Sequence, residues 1–139
     1  MSGQAATYLG FDYGTKRIGV AVGQTQTATA TALTTLNAVQ NKPDWAAIER
    51  LIAQWQPAAL VVGLPLNMDG SENDLTRRSL RFSRQLHERF GLEVHTMDER
   101  LSSVAAEQRL DGFGIRGGAV DQVAAQIILE NWLNRRATG

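Results

Sequence analysis

The sequence predicts an α/β domain built on a mixed five-stranded sheet with helices on both faces. Two observations carry that reading. Short β-rich segments come first and are followed by alternating strand and helix patterns, and the last long segment, which is apolar around much of its circumference, follows the final strand. The chain has 139 residues, the usual size of one domain, so residues 1–139 are expected to form a single unit.

The elements follow in order. Residues 7–12 (TYLGFD) and 16–23 (KRIGVAVG) read as two strands joined across Tyr13 and Gly14, a turn suited to a hairpin. The Thr content of the next stretch lets Ala30 to Leu36 pair as a third strand. From Pro43 to Trp55, Trp45, Ile48, Leu51, Ile52 and Trp55 recur at spacings of three and four, with Pro57 beyond, which predicts an amphipathic helix.

Ala58 to Gly63 (AALVVG) is a continuous apolar run of the kind found in a strand buried on both faces, and Leu64 to Asp74 follows as a loop with an Asp69-Gly70 turn. Leu75 to Phe90 carries Leu75, Ser79, Phe82, Leu86 and Phe90 on one stripe of a helix. Leu92 to Thr96 alternates as a further strand of parallel type leading to Asp98 and Glu99, a short helix is expected over Leu101 to Leu110, and Ala119 to Leu133 forms the last helix. This order is that of the ribonuclease H-like arrangement, although other α/β sandwiches share parts of it.

Composition excludes several kinds of chemistry. No cysteine is present, which removes disulfides, thiolate zinc sites and thiol nucleophiles. Fourteen basic side chains are balanced by fourteen acidic ones, so any polyanion must be gripped by a local patch. There is no basic start followed by an apolar stretch, and no run of about 18 apolar residues, so the expectation is a cytoplasmic protein with no membrane contact.

Three acids stand where a site would form. Strand alternation puts Tyr8, Gly10 and Asp12 on one face and Leu9 and Phe11 on the other; Asp12 is read either as a metal ligand or as a former of the Tyr13-Gly14 turn. Glu99 lies at the strand-end rim where open α/β sheets place ligands, or serves as an acid at a helix start, with Asp98 competing for the role. Asp121 sits in the first turn of the last helix, where the helix dipole alone would explain it. Taken together, acids closing the first strand, following a later strand and opening the final helix can converge in a three-layer fold.

Converging carboxylates repel unless protonated or neutralised, and oxygen ligands without His or Cys favour Mg²⁺, with Mn²⁺ as a substitute. Two such ions activate water and stabilise a leaving oxygen in phosphodiester hydrolysis. No rival catalytic set is present: HExxH, GxSxG and GxxxxGK[ST] are all missing. Gly112, Gly114 and Gly117 spell GxGxxG with Glu130 beyond, but the segment follows a predicted helix rather than a strand, so it is read as a loop beside the site. Arg77, Arg81 and Arg84 share a helix face, either as a solvated surface or as a track for phosphates.

The segments GFDYGTKRIGVAVG (Gly10 to Gly23), VVGLPLNMDGSE (Val61 to Glu72), DERLSS (Asp98 to Ser103) and VDQVAAQIILENWL (Val120 to Leu133) resemble, in order and across nearly the whole chain, the YqgF family of bacterial Holliday-junction-resolvase-like proteins. The resemblance implies an RNase H-like fold and a metal-dependent nuclease that processes the 5′ end of pre-16S ribosomal RNA in ribosome biogenesis. It also implies that Asp12, Glu99 and Asp121 are the catalytic, metal-binding acids, and that Lys16, Arg17, Asn67 and Arg100 are substrate or structural contacts.

The alternatives are a Holliday junction resolvase acting on branched DNA, a non-catalytic RNA-binding factor in ribosome assembly, and a nucleotide-handling module. The last is suggested by the likeness of the DYGT segment to the phosphate loop of actin-like and sugar kinases. Both a monomer and a homodimer fit the sequence; a resolvase making paired cuts needs the symmetric dimer.

Overall fold

A computed structural model describes residues 6–101 and 118–138. Five strands form one mixed sheet: β1 (Thr7–Asp12), β2 (Arg17–Gln24), β3 (Thr29–Asn37), β4 (Ala59–Leu64) and β5 (Glu93–Asp98), in the spatial order β3-β2-β1-β4-β5. The pairs β1–β2 and β2–β3 are antiparallel, and β1–β4 and β4–β5 are parallel. The C-terminal ends of β1, β3, β4 and β5 and the start of β2 therefore share one edge of the sheet. The helices are α1 (Trp45–Trp55), α2 (Asp74–Phe90) and α3 (Gly118–Thr138).

Local chemistry explains the helix boundaries. The Asp44 side chain accepts from the Ala47 N–H at 3.1 Å and caps α1, which ends at Gln56 in the left-handed region ahead of Pro57. Asn73 and Thr76 form a reciprocal capping box at the start of α2, and Gly91 closes it with φ 67°.

Alternation divides the sheet into two faces. Leu9, Phe11, Ile18, Val20, Leu60 and Val62 point toward α1 and α2, where they pack with Ile48, Phe82 and Leu86. Tyr8, Ala21, Ala59, Val61 and Met97 point toward Ala125, Ile128, Leu129 and Leu133 of α3. Small residues on the second face let α3 lie close to the strands: a methyl group on Gly10 would stand 2.8 Å from Leu129 Cβ. α3 also covers the edge strand. Glu130 accepts from the Ala30 N–H at 3.1 Å and Gln126 donates to the Ala30 carbonyl at 3.0 Å, so the backbone of β3 is partnered by side chains.

Three expectations change in detail. On α2 it is Thr76 that is buried, while Leu75 is exposed, because the capping box turns Thr76 inward toward the Pro65 carbonyl. β5 continues two residues past Thr96 to Asp98, since Gly63 and Leu64 of β4 supply partners for Met97 and Asp98. Glu99–Leu101 is a 3-10 turn; the rest of the helix expected over 101–110 and the glycine-rich segment 112–117 lie outside the described residues. Among the described residues no helix is long and apolar enough to cross a membrane.

Candidate active site

Asp12 closes β1 opposite Gly19 of β2, and Gly63 follows the last β1–β4 pair, Phe11 with Val62. Asp12 is thus flanked by a glycine on each neighbouring strand, and each glycine admits another acid. A methyl group on Gly19 would stand 1.9 Å from the Asp121 carbonyl oxygen, so the first turn of α3 rests on the bare backbone of β2. A methyl group on Gly63 would meet Glu99 Cγ at 2.8 Å and Cδ at 3.0 Å, so the Glu99 side chain crosses β4 at this one permissive position.

The electrostatics record the convergence. Burial pushes the Asp12 carboxyl well above the ordinary aspartate range, and the charges of Glu99 and Asp121 push it further. Burial also raises Glu99; its hydrogen bond with Asp12 opposes that rise, and the Asp98 charge adds to it. Each of the two carboxyl groups thus acts on the other, which puts Glu99 beside Asp12.

Asp121 is held differently. Arg17 Nε donates to its Oδ2 at 2.8 Å, in a pair that remains partly open to solvent. Among the described residues, no group of three or more His, Cys, Asp or Glu side chains is arranged to hold a metal ion. The donor set is nevertheless of the right chemistry. Half-buried carboxylates gathered at one sheet end, with no imidazole or thiolate among them, suit a hard divalent cation.

Asp98 and Glu99 are separated by their partners. Arg100 encloses the Asp98 carboxylate, donating from Nη2 at 2.6 Å and from Nε at 3.0 and 3.1 Å, and its backbone N–H adds a fourth contact at 2.9 Å. The Arg100 hydrogen bond is the main reason that the Asp98 carboxyl lies below the ordinary range. Arg100 Nη1 also reaches the Met68 carbonyl at 3.2 Å, tying the end of β5 to the loop after β4. Glu99, not Asp98, faces Asp12.

Lys16 lies exposed in the turn between β1 and β2, beside Arg17. The Asn67 side chain engages its own loop: Nδ2 donates to Ser71 Oγ and Oδ1 accepts from Asn73 Nδ2, each at 2.9 Å. The two glycines beside Asp12 were not singled out in the sequence. A glycine at the same end of each strand adjoining Asp12 was the signal available for them.

Sheet order, helix placement and a carboxylate cluster at the strand ends define an α/β protein of the RNase H-like class. Solved structures agree on the fold. *Thermus thermophilus* RuvC in complex with Holliday junction substrate superposes with a TM-score of 0.59 at 17% identity, covering 94% of this chain and 96% of that one. A second *Thermus thermophilus* RuvC structure gives 0.55 at 13% identity, covering 95% and 96%.

A family model described as RuvX, Holliday junction resolvase, matches residues 6–135. A protein of *Yersinia enterocolitica* named "Putative pre-16S rRNA nuclease" is 51% identical over 135 residues, covering 94% of this chain and 96% of the relative, and a *Yersinia pestis* protein of the same name is 52% identical over the same shares. The chain belongs to the RuvX family, the group met above under the name YqgF, and it is a nuclease of the hydrolase class.

Proposed function

We propose that this protein is a divalent-metal-dependent nuclease that hydrolyses phosphodiester bonds in structured RNA and acts on the 5′ end of pre-16S ribosomal RNA. The observation that carries the reading is the meeting of Asp12 and Glu99 at one sheet end, where Gly63 leaves room for the Glu99 side chain and the charges of Glu99 and Asp121 both act on Asp12. Crowded acids raise each other's pKa and are relieved by a cation, which is what a metal-binding catalytic site requires. The ribosomal RNA assignment draws on the names of the relatives.

Asp12, Glu99 and Asp121 would hold Mg²⁺, with Mn²⁺ as a substitute. Such an ion, when bound, lowers the pKa of water and neutralises charge on the phosphate oxygens. The chain's own residues do the rest. Asp12 and Glu99 would serve as ligands in their ionised form, the bare backbone at Gly63 makes room for the Glu99 side chain, and that at Gly19 seats the first turn of α3, which carries Asp121. Lys16 and Arg17 stand at the rim to hold phosphate oxygens. Arg100 and Asn67 brace the loop after β4 along the same edge. Hydrolysis adds the elements of water across one P–O bond, and the released oxygen ends protonated.

A second reading, resolution of four-way DNA junctions, is favoured by the family description and by the fold shared with RuvC. One experiment separates the two. A precursor ribosomal RNA fragment and a four-way DNA junction are incubated with Mg²⁺, Mn²⁺ or chelator, using wild type and Asp12→Asn. Metal-dependent cutting of the RNA that the substitution abolishes is expected. Cutting confined to the junction would move the second reading forward, and equal cutting by the variant would remove Asp12 from the chemistry.

A further inference from the structure

On the opposite side of the sheet end from the carboxylates lies a cleft of about 550 Å³ between the loop after β3 and the exposed flank of α2. Lys42 lines it from the loop and Arg78, Arg81 and Arg89 line it from the helix, while Tyr13 and Trp45 form its inner wall. No acidic side chain is among its lining residues. Arg78 is paired with Asp74 at 2.8 Å. Lys42 and Arg81 have no ion-pair partner among the described residues, and Arg89 lies over the Trp45 ring at 4.2 Å from its centroid.

Four cations from two elements converge on one concave space, with one carboxylate beside them. Like charges gathered in this way repel, and an anion filling the space relieves the repulsion. The aromatic walls show which part of a polyanion fits. Trp45 is stacked on Phe82 at 5.7 Å and covered by Arg89, and Tyr13 is buried against Phe82 at 5.0 Å. No ring face is open for a base, so the cleft is built for phosphates.

Position supplies the second half of the argument. Tyr13 follows Asp12 directly and packs on the other face, so the cleft and the carboxylates lie on opposite faces of the sheet at the same end, next to the β1–β2 turn. Lys16 lies in that turn and Arg17 opens β2 after it, and the Lys16 carbonyl accepts from the Ala38 N–H at 2.8 Å, which anchors the loop bearing Lys42 beside it. Cations thus continue from Arg17 at Asp121, through Lys16, to Lys42, Arg81 and Arg89.

We propose that this cleft is a second nucleic-acid site, which holds the sugar-phosphate backbone of a single-stranded flank of the substrate after it passes over the β1–β2 turn from the carboxylates. The proposal rests on the reading of the protein as a nuclease. It predicts contacts that are electrostatic and independent of base sequence.

The test is equilibrium binding of fluorescently labelled single-stranded RNA by the full chain carrying Asp12→Asn, in chelator, so that no strand is cut. Two lengths are used, one short enough to occupy the carboxylate end alone and one long enough to continue around the turn. Lys42→Glu with Arg81→Glu is expected to weaken binding of the long strand about tenfold or more, to lower its salt slope by about two, and to act alike on homopolymers of different base. The short strand is expected to bind as before. Arg50→Glu with Arg136→Glu, of equal net charge but outside the cleft, controls for the overall field.

Unchanged binding of the long strand overturns the proposal. So does equal weakening of both lengths, or an equal effect of the control pair, because either would report general charge. Lys42→Gln with Arg81→Gln carries the same test if the charge reversal prevents folding. Binding is read without cleavage, so a failure of the nuclease reading leaves this result standing on its own.

Discussion

Arg17 Nε donates to Asp121 Oδ2 at 2.8 Å, joining the first residue of β2 to the first turn of α3 across 104 positions of sequence. A guanidinium thus occupies the third acid of the candidate site. The pair is partly exposed, so its intrinsic strength is on the order of 1 kcal/mol or less, weak enough for a divalent cation and a phosphate to exchange its partners.

Arg17→Ala removes the competitor for Asp121. Mn²⁺ titrated into the metal-free variant by calorimetry should bind up to about fivefold more tightly than to wild type, the limit set by an exposed pair. KM for nucleic acid should rise at the same time, because the proposed phosphate contact of the guanidinium is lost with it. Weaker Mn²⁺ binding would show that Arg17 organises Asp121 rather than competing for it.

The Asp12 carboxyl has a pKa raised above its unfolded value by burial and by its acidic neighbours. The native state therefore binds this proton more tightly than the unfolded state does. Stability from this group is fully present below the ordinary aspartate range, about pH 4, and is lost as pH rises through the raised folded value. The Tm of the metal-free protein should carry that downward contribution with rising pH, and Mg²⁺ should diminish it. Asp12→Asn should abolish cleavage yet raise the Tm of the metal-free protein at neutral pH. A variant with lower Tm at neutral pH would contradict the crowding of acids.

Gly19→Ala and Gly63→Ala should differ in kind. At Gly19 the added methyl meets backbone, 1.9 Å from the Asp121 carbonyl, so α3 must move; the expected loss is about 1 to 3 kcal/mol of stability together with activity. At Gly63 it meets the ends of the Ile128 and Glu99 side chains, which can turn aside. Activity should then fall more than stability does. Urea denaturation beside single-turnover cleavage separates the two cases.

Glu99→Gln should abolish activity, whereas Asp98→Ala should leave a measurable rate with a raised KM. Asp98 is enclosed by Arg100, and Arg100 ties β5 to the loop carrying Met68, so loss of Asp98 frees an arginine and loosens a loop without removing an acid from Asp12. Equal loss in both variants would make Asp98 a member of the reacting group.

Much of this was legible along the chain, because the signals are local. Alternation over residues 7–12 placed Asp12 opposite in sense to Phe11, and the faces observed are those. The spacing of Trp45, Ile48, Leu51, Ile52 and Trp55 marked α1, and the resemblance to a known family selected Glu99 over Asp98. The extension of β5 to Asp98 was less legible, since it depends on the length of β4 beside it. Thr76 was missed as a buried residue because its inward turn depends on the Pro65 carbonyl, eleven positions earlier.

The amino-acid sequence by itself determined the elements of the described residues and their order, and it offered Asp12, Glu99 and Asp121 as candidate acids, since hydrophobic period and residue chemistry act over a few neighbouring positions. Only the tertiary structure decided how those acids meet. That Gly19 and Gly63 flank Asp12, that Arg17 takes Asp121, and that Arg100 removes Asp98 from contention all follow from strand order and the close approach of α3 to the sheet. These are contacts between residues tens of positions apart, and no local pattern encodes them.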